Sequence, residues 1–222
     1  GNHFINIPFA HQADTNKFIQ GLNDGSAKIT GNDVFEQWVD LFDLTLEYGN
    51  PNPLQTDYNT QVTEFAVGNA AMTQQGNWTQ VAISQTNPDI NIGFLPMPIN
   101  NDANAMDKLP VGVPSNWVIH KNSPVKEEAK AFLNWMVTSE VGQRYITEEF
   151  KFIPAFTNIS ADESVLGPLA ADIIRYSKEG KTLSGEASSN KFSDVMQGYI
   201  GGQFGKDELL KRLQQVWDEM SK

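Results

Sequence analysis

Apolar residues recur at helical spacing in several stretches of the chain, and the clearest stretch lies between Asn32 and Pro51. One face of this segment is apolar and consists of Val34, Phe35, Trp38, Val39, Phe42 and Leu46. Thr30 or Asn32 can cap the first turn, and Gly49 followed by Pro51 ends the pattern. We therefore predict a helix here.

Similar signals predict further helices along the chain. One ends at Gly68, where left-handed backbone is least costly, and another begins just after Trp78. Ser123, Pro124 and Glu127 form the start signals of a helix, namely a cap, a first-turn proline and a capping box. The remaining predicted helices are one that restarts at Ser139 with Gly142, one in the second half of 160–180, one near 191–204 and one over 206–220.

Other stretches have the alternation typical of strands. The chain opens with short alternating apolar positions, Phe4, Ile5, Ile7 and Phe9. Two later segments, 89–99 and 111–123, are predicted as extended strands. Segment 70–76 is predicted as a buried strand because its residues are small or compatible with β structure. Strands that alternate with helices indicate an α/β fold.

Composition narrows the function classes. The 222 residues are 40% hydrophobic and 19% charged, which is an ordinary globular balance. The net charge of −11 argues against binding to nucleic acid or to an anionic membrane surface. Cysteine is absent, which excludes disulfides, thiolate nucleophiles and cysteine-based metal sites.

Catalytic motifs are missing from the sequence. There is no Gly-x-Ser-x-Gly elbow, no His-Glu-x-x-His pair and no phosphate-binding glycine loop. His3 and His11 have no carboxylate at metal-ligand spacing, so no metal site is expected. We expect a protein that is not an enzyme and that needs no cofactor.

Aromatic residues stand beside small polar residues in several turns, and this combination suits a sugar. Aromatic faces stack on the C–H patch of a sugar ring, while amides and hydroxyls bind its rim. The candidates are Gly76, Asn77 and Trp78 in "QQGNW", Ser189, Asn190 and Phe192 in "ASSNKF", Asn116 and Trp117 in "SNWV", and His3 in "GNHF".

Each aromatic candidate also has an interpretation as a core residue. Trp38, Trp135 and Trp217 lie on apolar helix faces and are predicted to be core. The alternation around Trp117 favours the core as well, and Phe192 can simply anchor the start of its helix. For Trp78, composition alone favours the core over a ligand contact.

Five motifs in order resemble a known family. They are "FAVGNAAM" with "GNW", "IGFLPMP", "VGVPSNWVIHKNSP", "EEAKAFLNWMVTSEVGQRY" and "FIPAF". Together they resemble the extracellular solute-binding proteins of bacterial ABC importers, and most closely the maltose-binding-type carbohydrate receptors. The resemblance covers the chain from about Phe35 to its end, and more loosely from residue 1.

The resemblance implies a type II periplasmic-binding-protein-like α/β fold, in which two lobes close on a sugar and the receptor docks on ABC permease subunits. It assigns 1–110 to the first part of the C-terminal lobe, 111–155 to a crossing strand and N-terminal-lobe segment, and 156–222 to the helical remainder. The Gly76-Asn77-Trp78 turn matches the family's sugar-stacking turn, and Phe192 matches a second stacking position. The implied location is extracellular, with a lipid anchor on a missing N-terminus, or periplasmic.

The resemblance also predicts a fragment that lacks most of the N-terminal lobe and binds sugar weakly by itself. Apolar positions exposed by that loss, such as Trp117, Phe132 and Phe152, are expected to favour self-association. Two alternatives stay open at this point. One is the same architecture with a non-sugar solute such as a polyamine, a metal complex or a peptide, and the other is a polysaccharide-active enzyme with two facing carboxylates.

Overall fold

A computed structural model describes residues 3–103, 108–112, 116–183 and 190–221. These described ranges contain eleven α-helices and one short parallel pair of strands. The helices are α1 (Asn6–Ala10), α2 (Thr15–Asp24), α3 (Asp33–Tyr48), α4 (Tyr58–Ala66), α5 (Gln80–Thr86), α6 (Lys126–Thr138), α7 (Glu140–Arg144), α8 (Glu163–Leu166), α9 (Pro168–Lys178), α10 (Asn190–Ile200) and α11 (Lys206–Met220). The strands are β1 (Leu109–Pro110) and β2 (Thr182–Leu183), with Leu109 opposite Thr182.

The chain divides into two compact units. The first unit comprises Gly1–Asp57, Leu95–Gly112 and Gly180–Lys222, and the second comprises Tyr58–Phe94 and Val113–Glu179. The predicted segments 1–110, 111–155 and 156–222 do not coincide with these units. Their assignment to lobes stays a prediction.

The first unit has an aromatic core centred on α3. The side chain of Asn32 accepts hydrogen bonds from the backbone N–H groups of Val34 and Phe35, so Asn32 is the cap of this helix. Trp38 is fully buried, and its indole N–H donates to the carbonyl of Phe4 at 3.0 Å. This bond satisfies the one polar atom that the ring brings into the core.

Two small apolar clusters and several buried polar contacts hold the second unit together. Val62 and Ala66 of α4 pack against Ile83 of α5. A second cluster joins Met136 to Ile146 and Ile159. Both clusters are much smaller than the core of the first unit.

Two polar side chains connect α9 to distant parts of the second unit. The buried Gln80 accepts a hydrogen bond from the backbone N–H of Leu169 at 3.1 Å, which satisfies a donor in the first turn of α9. Asp172 accepts from the backbone N–H of Phe94 at 2.7 Å. Gly93 permits this approach, because a Cβ at that position would lie 2.9 Å from the Asp172 carboxylate.

Helix predictions agree with the structure better than strand predictions do. Segments 70–76 and 89–99 contain no strand, and residues 116–123 are likewise not in a strand. Of the four alternating apolar positions at the start of the chain, Phe4 and Ile5 lie in a turn and Ile7 and Phe9 lie in α1, and all four are buried. The predictions for 89–99 and 116–123 were wrong because alternation over four or five residues also fits an irregular segment. Segment 70–76 was predicted to be buried from its small residues, but Ala70, Ala71 and Met72 are exposed.

The start of α6 also differs from the prediction. Ser123 accepts a hydrogen bond from the backbone N–H of Val125, but the helix begins only at Lys126, so Pro124 lies in the preceding turn. The restart signal at Ser139 is confirmed, since its hydroxyl accepts from the N–H of Gly142 in the first turn of α7. A π-helical turn, Tyr145–Glu149, continues α7.

Candidate functional site

The candidate sugar-stacking turn is a single helical turn in the second unit. Asn77, Trp78 and Thr79 form a 3-10 turn that leads directly into α5. Thr79 fixes its start, because both its backbone N–H and its hydroxyl donate to the carbonyl of Gly76, at 3.1 and 2.8 Å. Thr79 is buried and Trp78 is partly buried, so the turn is anchored through the residue that follows the tryptophan.

Gly76 is required by the position of the indole ring. A Cβ built on Gly76 would overlap with three carbons of the six-membered ring of Trp78. The backbone of Gly76 is extended, with φ −123° and ψ −177°, a conformation that any residue adopts. The glycine is therefore needed for the close approach of the ring, and one side of the indole lies on the backbone at Gly76.

A chain of amide hydrogen bonds holds the indole N–H. Trp78 Nε1 donates to Gln75 Oε1 at 3.2 Å, and Gln75 Nε2 donates to Gln61 Oε1 at 2.7 Å. Gln61 Nε2 donates to Thr73 Oγ1 at 3.0 Å and approaches the carbonyl of Gln74 at 3.5 Å. The helix α4 is thus joined to the turn through Gln61. We call Thr73, Gln75, Gln61 and Trp78 the amide chain.

Sequence reasoning named Gly76, Asn77 and Trp78 of "QQGNW" as candidates and missed the roles of Gln75 and Gln61. In the structure Gln75 binds Trp78 and Gln61. The separation of fourteen residues between Gln61 and Gln75 follows from the packing of α4 on α5, and no local pattern indicates it.

Trp117 and Asn116 line a separate open groove of the second unit. The groove has a volume of about 490 Å³ and is lined by Asn116, Trp117, Val118, Ile119, His120, Ser123, Ala129, Phe132 and Leu133. Trp117 is 51% exposed, so its predicted place in the core is wrong. The ring of Phe132 stacks on that of Trp135 with centroids 5.9 Å apart. Trp135 is 41% exposed, so the prediction that it is a core residue is also wrong.

The other candidates belong to the first unit. Phe192 is fully buried and stacks on Trp217 with centroids 6.4 Å apart. A ring without an exposed face cannot stack on a sugar, so this structure corrects the expected role of Phe192 to that of a core residue. Asn190 is the first residue of α10, His3 is exposed, and Ser189 lies outside the described residues.

Charged and metal-binding groups add little to either candidate location. Over the described ranges, no group of three or more histidine and acidic side chains is arranged to hold a metal ion. His120 is the one titratable side chain among the residues that line the groove. Nor does any helix in those ranges combine the length and the apolar character needed to cross a membrane. At the Trp78 turn and in the groove, the side chains are therefore suited to bind a ligand by aromatic stacking and by neutral hydrogen bonds.

Comparison with known protein families identifies the chain at a coarse level. A family model for bacterial extracellular solute-binding proteins matches residues 8–143, which is more than half of the chain. The match includes the Gly76-Asn77-Trp78 turn, Asn116 and Trp117, and it ends before α10 with Asn190 and Phe192. The chain belongs to the family of bacterial extracellular solute-binding proteins.

Proposed function

We propose that this chain is part of the carbohydrate-binding component of an ABC importer of the maltose-binding type, and that Trp78 is its sugar-stacking residue. The observation that carries the proposal is the set of contacts that holds the ring of Trp78 in place. Its ring lies on Gly76, its N–H is bound to Gln75, and part of its surface is exposed. A ring held in this way loses little side-chain entropy when a sugar stacks on it.

Neutral polar groups near the turn would provide the hydrogen bonds that sugar hydroxyls need. Asn77 follows directly on Gly76 and is partly exposed. Asn116 and Trp117 are a second set of exposed groups of the same chemistry. In the proposed mechanism, closure of two type II lobes on the sugar creates the surface that the permease subunits recognise. An extracellular or periplasmic location follows from that role.

Two other functions are less well supported. A polyamine site needs several carboxylates around the ligand, but neither the turn Asn77–Thr79 nor the described residues that line the groove include a carboxylate. A polysaccharide-active enzyme needs two opposed carboxylates, and neither candidate location contains one among its described residues. The family match favours solute binding over catalysis.

Sugar binding by the protein from the complete reading frame that contains these residues tests the proposal. Calorimetry with glucose, maltose, maltotriose, cellobiose and raffinose should give a binding heat for at least one sugar. Trp78→Ala should weaken that binding by about tenfold or more, because a buried aromatic contact contributes on the order of 1–3 kcal/mol. Trp38→Phe changes a core tryptophan as a matched control and should leave affinity unchanged.

Unchanged affinity in the Trp78→Ala protein would show that the stacking role is wrong. If none of the five sugars binds and a polyamine such as spermidine does, the carbohydrate assignment is replaced by the alternative solute.

A further inference from the structure

We infer that Gln61 and Gln75 are positioning residues for Trp78, which set the plane of the indole from a distance and so contribute to the selection of a sugar. This inference rests on the proposed function of Trp78. Gln61 lies on α4, and its amide is linked to the tryptophan through the amide of Gln75. Its effect on a ligand would therefore be indirect.

The direction of the amide chain follows from the chemistry of the indole. An indole nitrogen is only a donor, so Gln75 must turn its oxygen toward Trp78. The Gln75 nitrogen is then the donor to Gln61 Oε1, and this leaves the Gln61 nitrogen to donate to Thr73. Reversal of either amide would place two donors or two acceptors against each other. One orientation of each side chain is thus selected by the ring at the end.

Packing and hydrogen bonding restrict different motions of the indole. Contact with Gly76 limits displacement of the ring toward the backbone. The bond from Nε1 to Gln75 limits rotation within the ring plane and about χ2. Gln61 in turn holds Gln75 at 2.7 Å, the shortest contact in the amide chain. The ring is therefore fixed on two sides before any ligand arrives.

Partial burial makes these hydrogen bonds consequential. Gln61, Thr73 and Gln75 are all partly buried. When one of them loses its hydrogen-bond partner, water therefore does not fully replace the lost bond. Replacement of Gln61 by a side chain without an acceptor leaves Gln75 Nε2 unpaired. Gln75 is then free to turn, and the indole N–H loses its fixed partner.

The test compares Gln61→Met with Gln61→Glu. Methionine has a similar length but no oxygen, whereas glutamate keeps the acceptor that Gln75 Nε2 needs. The first readout is the indole N–H resonance of Trp78 in ¹H–¹⁵N spectra of the ligand-free chain, assigned by its loss in Trp78→Phe. The second readout is the affinity of the complete-reading-frame protein for whichever of the five sugars binds best. Gln85→Met, at an exposed glutamine on α5, is the control.

We expect Gln61→Met to shift the Trp78 resonance and to weaken sugar binding by about fivefold, as loss of one effective hydrogen bond would. Gln61→Glu should restore both readouts toward those of the wild type, and Gln85→Met should change neither. A Trp78 resonance that is unmoved in Gln61→Met overturns the inference. A shifted resonance with unchanged affinity overturns the role in ligand selection, provided that Trp78→Ala weakens binding. If Trp78→Ala binds as the wild type does, the proposed function itself fails, and the ligand part of the inference fails with it.

Discussion

The ring of Trp78 lies so close to the Cα of Gly76 that a methyl group at that position would occupy the same space as the ring. Because the backbone of Gly76 is in an ordinary extended conformation, the glycine is explained by the ring alone. The two residues are therefore coupled, and the glycine should matter only while the ring is present.

A double-mutant cycle measures this coupling. Gly76→Ala should lower the free energy of unfolding by about 1–3 kcal/mol, because the new methyl group displaces the indole or strains the turn. In the Trp78→Ala background the same change should have almost no effect, since the space is then empty. Urea unfolding of the four proteins gives the values. Equal effects of Gly76→Ala in both backgrounds would show that the contact with the ring is unimportant.

The contact between Gln80 and α9 predicts a second stability effect. Gln80→Leu removes the acceptor of the Leu169 N–H in a buried location, so the free energy of unfolding should fall by about 1–3 kcal/mol. Gln85→Leu alters an exposed glutamine of the same helix and should lie within about 0.5 kcal/mol of the wild type in urea unfolding. If Gln80→Leu is as stable as Gln85→Leu, the bond contributes nothing.

Helices with strong end signals were predictable from the sequence because their signals are local. The Asn32 cap, the apolar face through Trp38 and the stop near Gly49 all lie within one continuous segment, and α3 agrees with them. The helix after Trp78 was found in the same way. In such segments, local preference and tertiary packing point to the same structure.

The site itself depends on contacts that no local pattern contains. Gln61 meets Gln75 only because α4 packs on α5, and Asp172 meets Phe94 across 78 residues of sequence. For Trp135 the sequence predicted burial that the structure does not show. The residue lies at helical spacing with apolar neighbours, but it is 41% exposed. Periodicity indicates that a face is apolar but does not indicate what covers it.

His11 predicts a dependence of stability on pH. Its Nε2 atom is buried without a hydrogen-bond partner, and burial, followed by the charge of Lys108, lowers its pKa below 6.5. The unfolded chain therefore takes up a proton first as the pH falls. As the pH falls from 6.5 to the lower pKa of His11 in the folded protein, protonation of the unfolded chain lowers the free energy of unfolding. The decrease is at most about 1.4 kcal/mol per pH unit.

The comparison of His11→Gln with the wild type isolates this contribution from that of the carboxylates. Above pH 6.5 the difference in unfolding free energy between the two proteins should be constant. Below that pH the wild type should lose stability relative to the variant until the folded-state pKa is passed. A difference between His11→Gln and the wild type that is flat from pH 7 to pH 5 would contradict the prediction.

The exposed apolar groove of the second unit predicts self-association of the 222-residue chain. Val118 is 88% exposed and Phe132 58% exposed, and both line the groove beside Trp117. Contiguous apolar surface of this kind favours association because water is released when the surface is covered.

Sedimentation velocity over a range of concentrations should show reversible association. The double change of Trp117→Ser with Phe132→Ser should weaken it by about tenfold or more, as loss of two aromatic contacts would. Leu44→Ser, at an exposed leucine on α3 of the first unit, should have no effect, and equal association by all three proteins would exclude the groove as the contact.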